Sequence, residues 1–505
     1  MKKSLKIKIT LLIYSFIMTY LHSFNSIRFD DSSIYSDNAV FYLMGRGILK
    51  GQVLYKDMYD HKTPYIYLLN TLAAIFEKNH LGLYIITSLI LFVSIYYTYK
   101  IIRLFNENDI ISLTGSVFIC LFLNNANLTL GFLRTEGYAI ALMLPSLYLF
   151  LIFFLNDNKE FNLYHMFIIG ILAGLTLFIN IKSSILYVPF AIFTCFVLLK
   201  NKSYKNIVLC FITGSIAVLI SGIPMIIYFI KNNCFYEAID AIFRVNGIYA
   251  NPFSSITAND ENFIQIILRI VRVHPVLTII ILIEFISILL YKTKKEIKLS
   301  TLSSFIICLI YTMTINRPYT YYYTILIPFL IPTYLLLINI LNYIIIKTNI
   351  KRTIVYSILI AILFIINFPI GYFAINKRYK TNVFINNSIH ELLKDKIEIN
   401  EDTKVLSYGY SPEYYMFLNK NISFQYFIIP NIKFKYYKTA YVNQINYIKK
   451  GLPDVLILTM GSYVAELPDN YYNTLYESLS LNYNYIGDIK LFENEWKNPN
   501  VFIRK

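Results

Sequence analysis

Charge is scarce in this sequence. Asp, Glu, Lys and Arg make up 15% of its 505 residues, against 56% hydrophobic residues, and the mean hydropathy is +0.52. A soluble chain of this length needs far more charge to cover its surface, so that class is excluded. Cysteine is also sparse. Cys120, Cys195, Cys210, Cys234 and Cys308 lie mostly inside apolar stretches and behave as small hydrophobes; they show neither metal-ligand spacing nor a disulfide framework. The C-terminal part carries no Gly-rich phosphate fingerprint, and the chain shows no convincing internal repeat. The basic start, MKKSLKIK, leads into an apolar run to about Phe24 with no small-residue cleavage site behind it, which predicts an uncleaved first helix.

What the chain does have is apolar residues in blocks. After the first, they run approximately 81–102, 110–127, 137–156, 165–181, 184–200, 207–230, 272–291, 299–315, 320–345 and 353–375. A bilayer core of ~30 Å takes about 20 residues of helix, so these blocks predict about eleven spans. The net charge of +16 falls in short breaks between them: Lys100/Arg103, Lys159, Lys200/Lys202/Lys205, Lys292/Lys294/Lys295/Lys298 and Lys347/Lys351/Arg352. Alternate loops thus share the sign of the N-terminus, which is the positive-inside pattern rather than a nucleic-acid surface. The expected placement is a multi-pass protein of a bacterial-type cytoplasmic membrane, N-terminus inside and C-terminal part outside.

From about residue 376 the composition changes. KVLSYGY (404–410) and PDVLILTM (453–460) read as buried strands separated by helical segments and Tyr-rich turns. The expected fold is an all-α polytopic membrane bundle, residues 1–375, followed by a small α/β extracytoplasmic domain, 376–505, serving as a lid or docking unit.

Long outer loops, about 25–80 and 231–270, concentrate the polar residues on one face. In the first, Ser36, Asp37 and Asn38 precede an apolar pattern at Val40, Leu43/Met44 and Ile48, and Gly51 follows. This predicts a helix lying in the membrane interface, with Asp37 at the water–lipid boundary. By spacing alone Asp37 reads as a helix cap, Asp30 and Asp31 as solvated charges, Arg134 as a loop charge, and Lys62 and Arg317 as interface anchors. Glu284, inside TIIILIEFISILL, would be costly facing lipid and is expected to find a structural partner within the bundle.

The first loop also carries D-x-A-x-F, G-R-x-I-L-x-G, L-Y-x-D and D-H-K-x-P across residues 37–64. This run resembles the first-loop signature of the GT-C glycosyltransferases, in the branch of the protein O-mannosyltransferases and the lipid A aminoarabinose transferase. Weaker matches follow in order: R-T-E at 134–136, G-I-L-A-G-L-x-L-F-I-x-I-K at 170–182 and R-P-Y-T-Y-Y-Y at 317–323. The resemblance implies transfer of a sugar from a polyprenyl phosphate to an acceptor hydroxyl of an envelope glycan, lipid or protein, with inversion, on the outer face. It implies Asp37 as base and Glu136 as a second acidic residue. Lys62, Arg134, Lys182 and Arg317 would bind the donor phosphate, and Tyr55, Asp60, His61, Tyr321 and Tyr322 would help bind substrate. Two departures stand out: Leu54 replaces a usual Pro, and Tyr321-Tyr322 replaces a His-Tyr pair, which weakens the carry-over of that motif's role. His61 stands where some relatives place a metal-binding acid, so the need for a divalent metal is left open. The rival classes are a transporter or flippase of lipid-linked sugars and an envelope scaffold.

Overall fold

The computed structural model describes residues 2–505 apart from 77–79, 132–133, 157–159, 257–262, 315–318, 349–351, 460 and 492–497. Among the described residues, seven helices are long and apolar enough to cross a membrane: Lys3–His22, Leu81–Phe105, Thr135–Leu155, Ile181–Lys200, Tyr204–Lys231, Lys295–Met313 and Thr320–Thr348. An eighth candidate is the pair Ile264–Val273 and Pro275–Leu290, bent by 111°. Pro275 opens its second half, where its missing N–H costs nothing and its fixed φ suits a helix start. The shorter helices Asp109–Leu123 and Leu163–Ile179 and the long helix Arg352–Leu393 occupy the remaining apolar blocks. The chain is therefore a multi-pass helical membrane protein with a small C-terminal sheet, the expected fold class.

Two of the spans do not begin as regular α-helix. Tight 3-10 turns occupy Ile181–Leu186 and Thr320–Phe329. Irregular backbone at membrane depth is tolerated only when protein covers it, and Tyr321–Phe329 is buried throughout.

The first loop folds into helices Ser36–Leu49 and Tyr65–Ala74, and Gly51, at φ +85°, ends the first of them. The expected interfacial helix with one wet face is not what forms. Residues Asn38–Gly47 are all buried, because the C-terminal domain covers the face that local pattern leaves for water. The Arg46 guanidinium donates to the Asn419 side chain at 3.2 Å and to the Lys420 carbonyl. Gln52 donates to the Ile422 carbonyl at 2.9 Å, and Tyr59 N–H to the Gln425 carbonyl at 2.8 Å. One hydrophobic core runs continuously from the first loop into the C-terminal domain.

Gly45 lets the two loop helices touch: a Cβ there would stand 2.5 Å from the Asn70 carbonyl carbon. A backbone neighbour cannot rotate away. Gly45→Ala is therefore expected to cost about 1–3 kcal/mol, as overpacking does, read as a lower unfolding midpoint in detergent.

Among the described residues the C-terminal domain holds four strands: β1 (Val405–Tyr408), β2 (Val455–Leu458), β3 (Tyr483–Asp488) and β4 (Asn500–Arg504), in the order β1-β2-β4-β3. β1 and β2 are parallel; the other two pairings are antiparallel. β1 and β2 are buried at every residue, which is why they read as unbroken apolar runs rather than alternating ones. The sequence-based boundary at 375/376 falls inside helix Arg352–Leu393, which carries the chain across it without a break. Glu284 is buried, as expected. Its Oε2, however, has no hydrogen-bond partner among the described residues, so a partner for that oxygen is not found.

Candidate active site

Asp37 sits in the first turn of helix Ser36–Leu49, but the cap position is Tyr35 and no side chain caps there. Its carboxylate is used elsewhere. Arg134 Nη1 donates to Oδ2 at 2.8 Å, and the Tyr410 hydroxyl donates to Oδ1 at 2.5 Å. Lys62 Nζ stands 3.8 Å from the same Oδ1. Arg134 is not a solvated loop charge: it is 5% exposed, with its guanidinium 4.1 Å from the centre of the Tyr321 ring.

Lys62 also lies 3.7 Å from Asp60 Oδ2 and packs over the Phe41 ring. Asp60 is fully buried; it accepts from the Tyr67 hydroxyl at 2.8 Å and from the His61 backbone N–H at 2.8 Å. Two carboxylates and two cations thus form one network beneath the C-terminal domain. Burial pushes the Asp37 carboxyl up, but Lys62, Arg134 and the Tyr410 hydrogen bond outweigh it and leave it below the ordinary carboxylate range. Burial likewise opposes ionisation of Asp60, yet Lys62, His61 and Tyr67 hold it well below that range. Lys62 shows the reciprocal effect, raised by Asp37 and Asp60 against its burial. All three are charged near neutral pH.

Glu136, in the first turn of Thr135–Leu155, accepts from Thr135 and from the Asn180 amide, each at 3.1 Å. The Asn180 carbonyl meanwhile accepts from the N–H groups of Lys182 and Ser183. One asparagine therefore orients Glu136 and caps the turn that carries Lys182. The Lys182 ammonium lies 5.1 Å and 5.0 Å from the ring centres of Tyr249 and Tyr322, whose hydroxyls are 3.0 Å apart.

A cavity of about 300 Å³ collects these groups. Asp37, Lys62, Glu136 and Lys182 line it, with His61, Tyr321 and Tyr322. Carboxylates 99 residues apart in the chain, at 37 and 136, thus share one chamber. Asp60 and Arg134 stand behind the wall, each bound to a residue that lines it. Tyr55 is not on the wall: its ring packs against Tyr67 and Phe229, and its hydroxyl donates to the Lys62 carbonyl at 2.7 Å, supporting the loop from behind. Arg317 lies outside the described residues. Among those residues no three His, Cys, Asp or Glu side chains converge as a metal cluster.

Sequence reasoning missed Tyr410, Asn180 and Tyr249. Tyr410 had one readable signal, its position just past the carboxyl end of a buried parallel strand, where α/β sheets place their sites. Tyr249 follows a π-helical turn, Asp240–Val245, a distortion that often marks functional sites but leaves no trace in the residue pattern.

No family model matches the sequence, and no curated protein does. Among solved structures, the chain is similar to the crystal structure of ArnT from Cupriavidus metallidurans bound to undecaprenyl phosphate. The two share 10% identity with a TM-score of 0.53, and the match covers 99% of this chain and 98% of that one. The likeness extends over bundle and C-terminal domain together, so the fold implied by the first-loop motifs is the fold found.

Proposed function

We propose that this protein is an inverting glycosyltransferase that takes a sugar from a polyprenyl phosphate and passes it to an acceptor hydroxyl. The observation that carries this reading is one chamber lined by an ionised carboxylate, Asp37, and two ammonium groups, Lys62 and Lys182. The fold of a protein crystallised with undecaprenyl phosphate supports it.

In the proposed reaction the acceptor oxygen bonds to the anomeric carbon as the bond from that carbon to the phosphate oxygen breaks. The bonding pair leaves with the phosphate, and the acceptor proton passes to Asp37. A carboxylate is the right group because it must arrive charged and within hydrogen-bond reach. Lys62 and Lys182 neutralise the charge that builds on the departing phosphate, and the resemblance of its motif assigns Arg317 to the same task. The resemblance implies Arg134 as a phosphate ligand; its hydrogen bond to Asp37 supports a role in holding the base instead. Glu136, oriented by Asn180, receives the acceptor or sugar hydroxyls. Asp60 keeps Lys62 charged, and His61, Tyr321 and Tyr322 shape the wall, leaving Tyr55 to brace the loop. The acceptor is an envelope glycan, lipid or protein.

The direct test uses membranes containing the protein and a panel of undecaprenyl-phosphate hexoses and pentoses. Release of free undecaprenyl phosphate with an envelope extract as acceptor supports the reading. No release from any donor, with the protein folded, rejects it.

The proposed orientation places the chamber outside the cytoplasmic membrane, N-terminus inside. Reporter fusions after Lys205 and after Lys505 are expected to report opposite faces, since the basic loops fall on one side. The same face from both would overturn the odd number of spans.

A further inference from the structure

The C-terminal domain touches the proposed base. β1 ends at Tyr408, and the chain turns through Gly409 at φ +100°, a backbone shape that favours glycine. The turn is pinned: Gly409 N–H donates to Gln444 at 3.2 Å, and its carbonyl accepts from Ile429 N–H at 2.8 Å. Tyr410 follows at once and donates to Asp37 Oδ1 at 2.5 Å. The domain is held on the first loop by the Arg46, Gln52 and Gln425 hydrogen bonds.

We infer that Tyr410 is a positioning residue for Asp37, so that the C-terminal domain completes the transferase site rather than only covering it. This rests on the reading of Asp37 as the base. The torsion that aims an aspartate carboxylate is broad and weakly held by itself. Arg134 grips one oxygen, and Tyr410 grips the other from a different domain. An ionised carboxylate offers about four lone-pair positions. Arg134 and Tyr410 take one each, and Lys62 at 3.8 Å from Oδ1 is beyond hydrogen-bond range. A position remains for the acceptor hydroxyl while Tyr410 stays bound. The groups that set Asp37's charge are Lys62 and Asp60 from the first loop, Arg134 from the start of helix Thr135–Leu155 and Tyr410 from the C-terminal domain. Tyr410 is the one of these that the docked domain supplies.

The test compares Tyr410→Phe with Tyr408→Phe in the full-length protein. Both keep ring and bulk, and the Tyr408 hydroxyl has no partner among the described residues, so Tyr408→Phe should match the wild type. Tyr410→Phe is expected to release undecaprenyl phosphate about tenfold to a hundredfold more slowly, the loss of one hydrogen bond to a charged group. It should also move the acid limb of the rate profile to higher pH, because a donor that favours ionised Asp37 is gone. Binding of undecaprenyl phosphate alone should not change. Wild-type turnover with an unmoved acid limb overturns the inference. So does an equal loss of undecaprenyl phosphate binding, which would make Tyr410 a donor-site support. A wild type that releases nothing fails earlier, at the proposed function, and takes this inference with it.

Discussion

Asp37→Asn is expected to reduce turnover by roughly 10²–10⁴-fold, the usual worth of a positioned base, while the protein still folds. Asn keeps the size of Asp but presents one oxygen where Asp presents two, so either Arg134 or Tyr410 loses its acceptor. It also leaves Lys62 and Arg134 facing Asp60 alone, one cation in excess in a largely buried network. Breaking one side of a buried pair costs about 3–5 kcal/mol when burial is complete; Asp37 keeps 15% side-chain exposure, so a smaller loss is expected. Adding Arg134→Met to Asp37→Asn restores the charge balance. The double variant should regain stability against the single one, measured by unfolding in detergent, and still turn over no faster. Stability and turnover recovering together would make Asp37 a structural ion-pair partner. An Asn variant with full activity would remove it from the reaction, and a scaffold protein would be indifferent to the change.

Lys62→Met is expected to weaken binding of undecaprenyl phosphate about tenfold to a hundredfold, the loss of one charge-assisted contact. It should also alter acid stability, because Lys62 is the foremost of the groups that hold the Asp60 carboxyl down against its burial. A carboxyl whose folded pKa is depressed contributes stability that is present above its unfolded value, about 3.9, and is lost as pH falls through the folded one. In the wild type that loss falls below the ordinary carboxylate range. Without Lys62 only His61 and Tyr67 oppose burial, so the Asp60 pKa rises toward its unfolded value and the loss becomes smaller and moves to higher pH. Lys182→Met is the comparison: it should weaken donor binding without releasing Asp60, because Lys182 is not among the groups that hold that carboxyl down. If Lys62→Met binds undecaprenyl phosphate normally, the phosphate is held by other groups.

Much of this was legible along the chain, and the reason is periodicity. Apolar blocks of bilayer length announced the spans. The pattern around Val40 and Leu43 announced the helix that forms at Ser36–Leu49, and Gly51 announced its end. The runs at 404–410 and 453–460 became β1 and β2. These are local properties: the cost of burying backbone polar groups in lipid and the spacing of side chains on a helix act within some twenty residues. By resemblance, the first-loop motifs added Asp37 and Lys62, and the R-T-E match at 134–136 added Glu136.

Only the tertiary structure decided what those side chains do. The polar-looking face of helix Ser36–Leu49 is buried because a domain more than 370 residues away docks on it. Asp37, which by spacing reads as a helix cap, instead receives hydrogen bonds from Arg134, 97 residues on, and Tyr410, 373 residues on. Lys62 reads by spacing as an interface anchor and in fact pairs with the buried Asp60. No residue pattern carries such partnerships, because a hydrogen bond or ion pair depends on where packed elements bring two groups within about 3–4 Å. Charge, span and strand came from composition and period; the chamber came from docking.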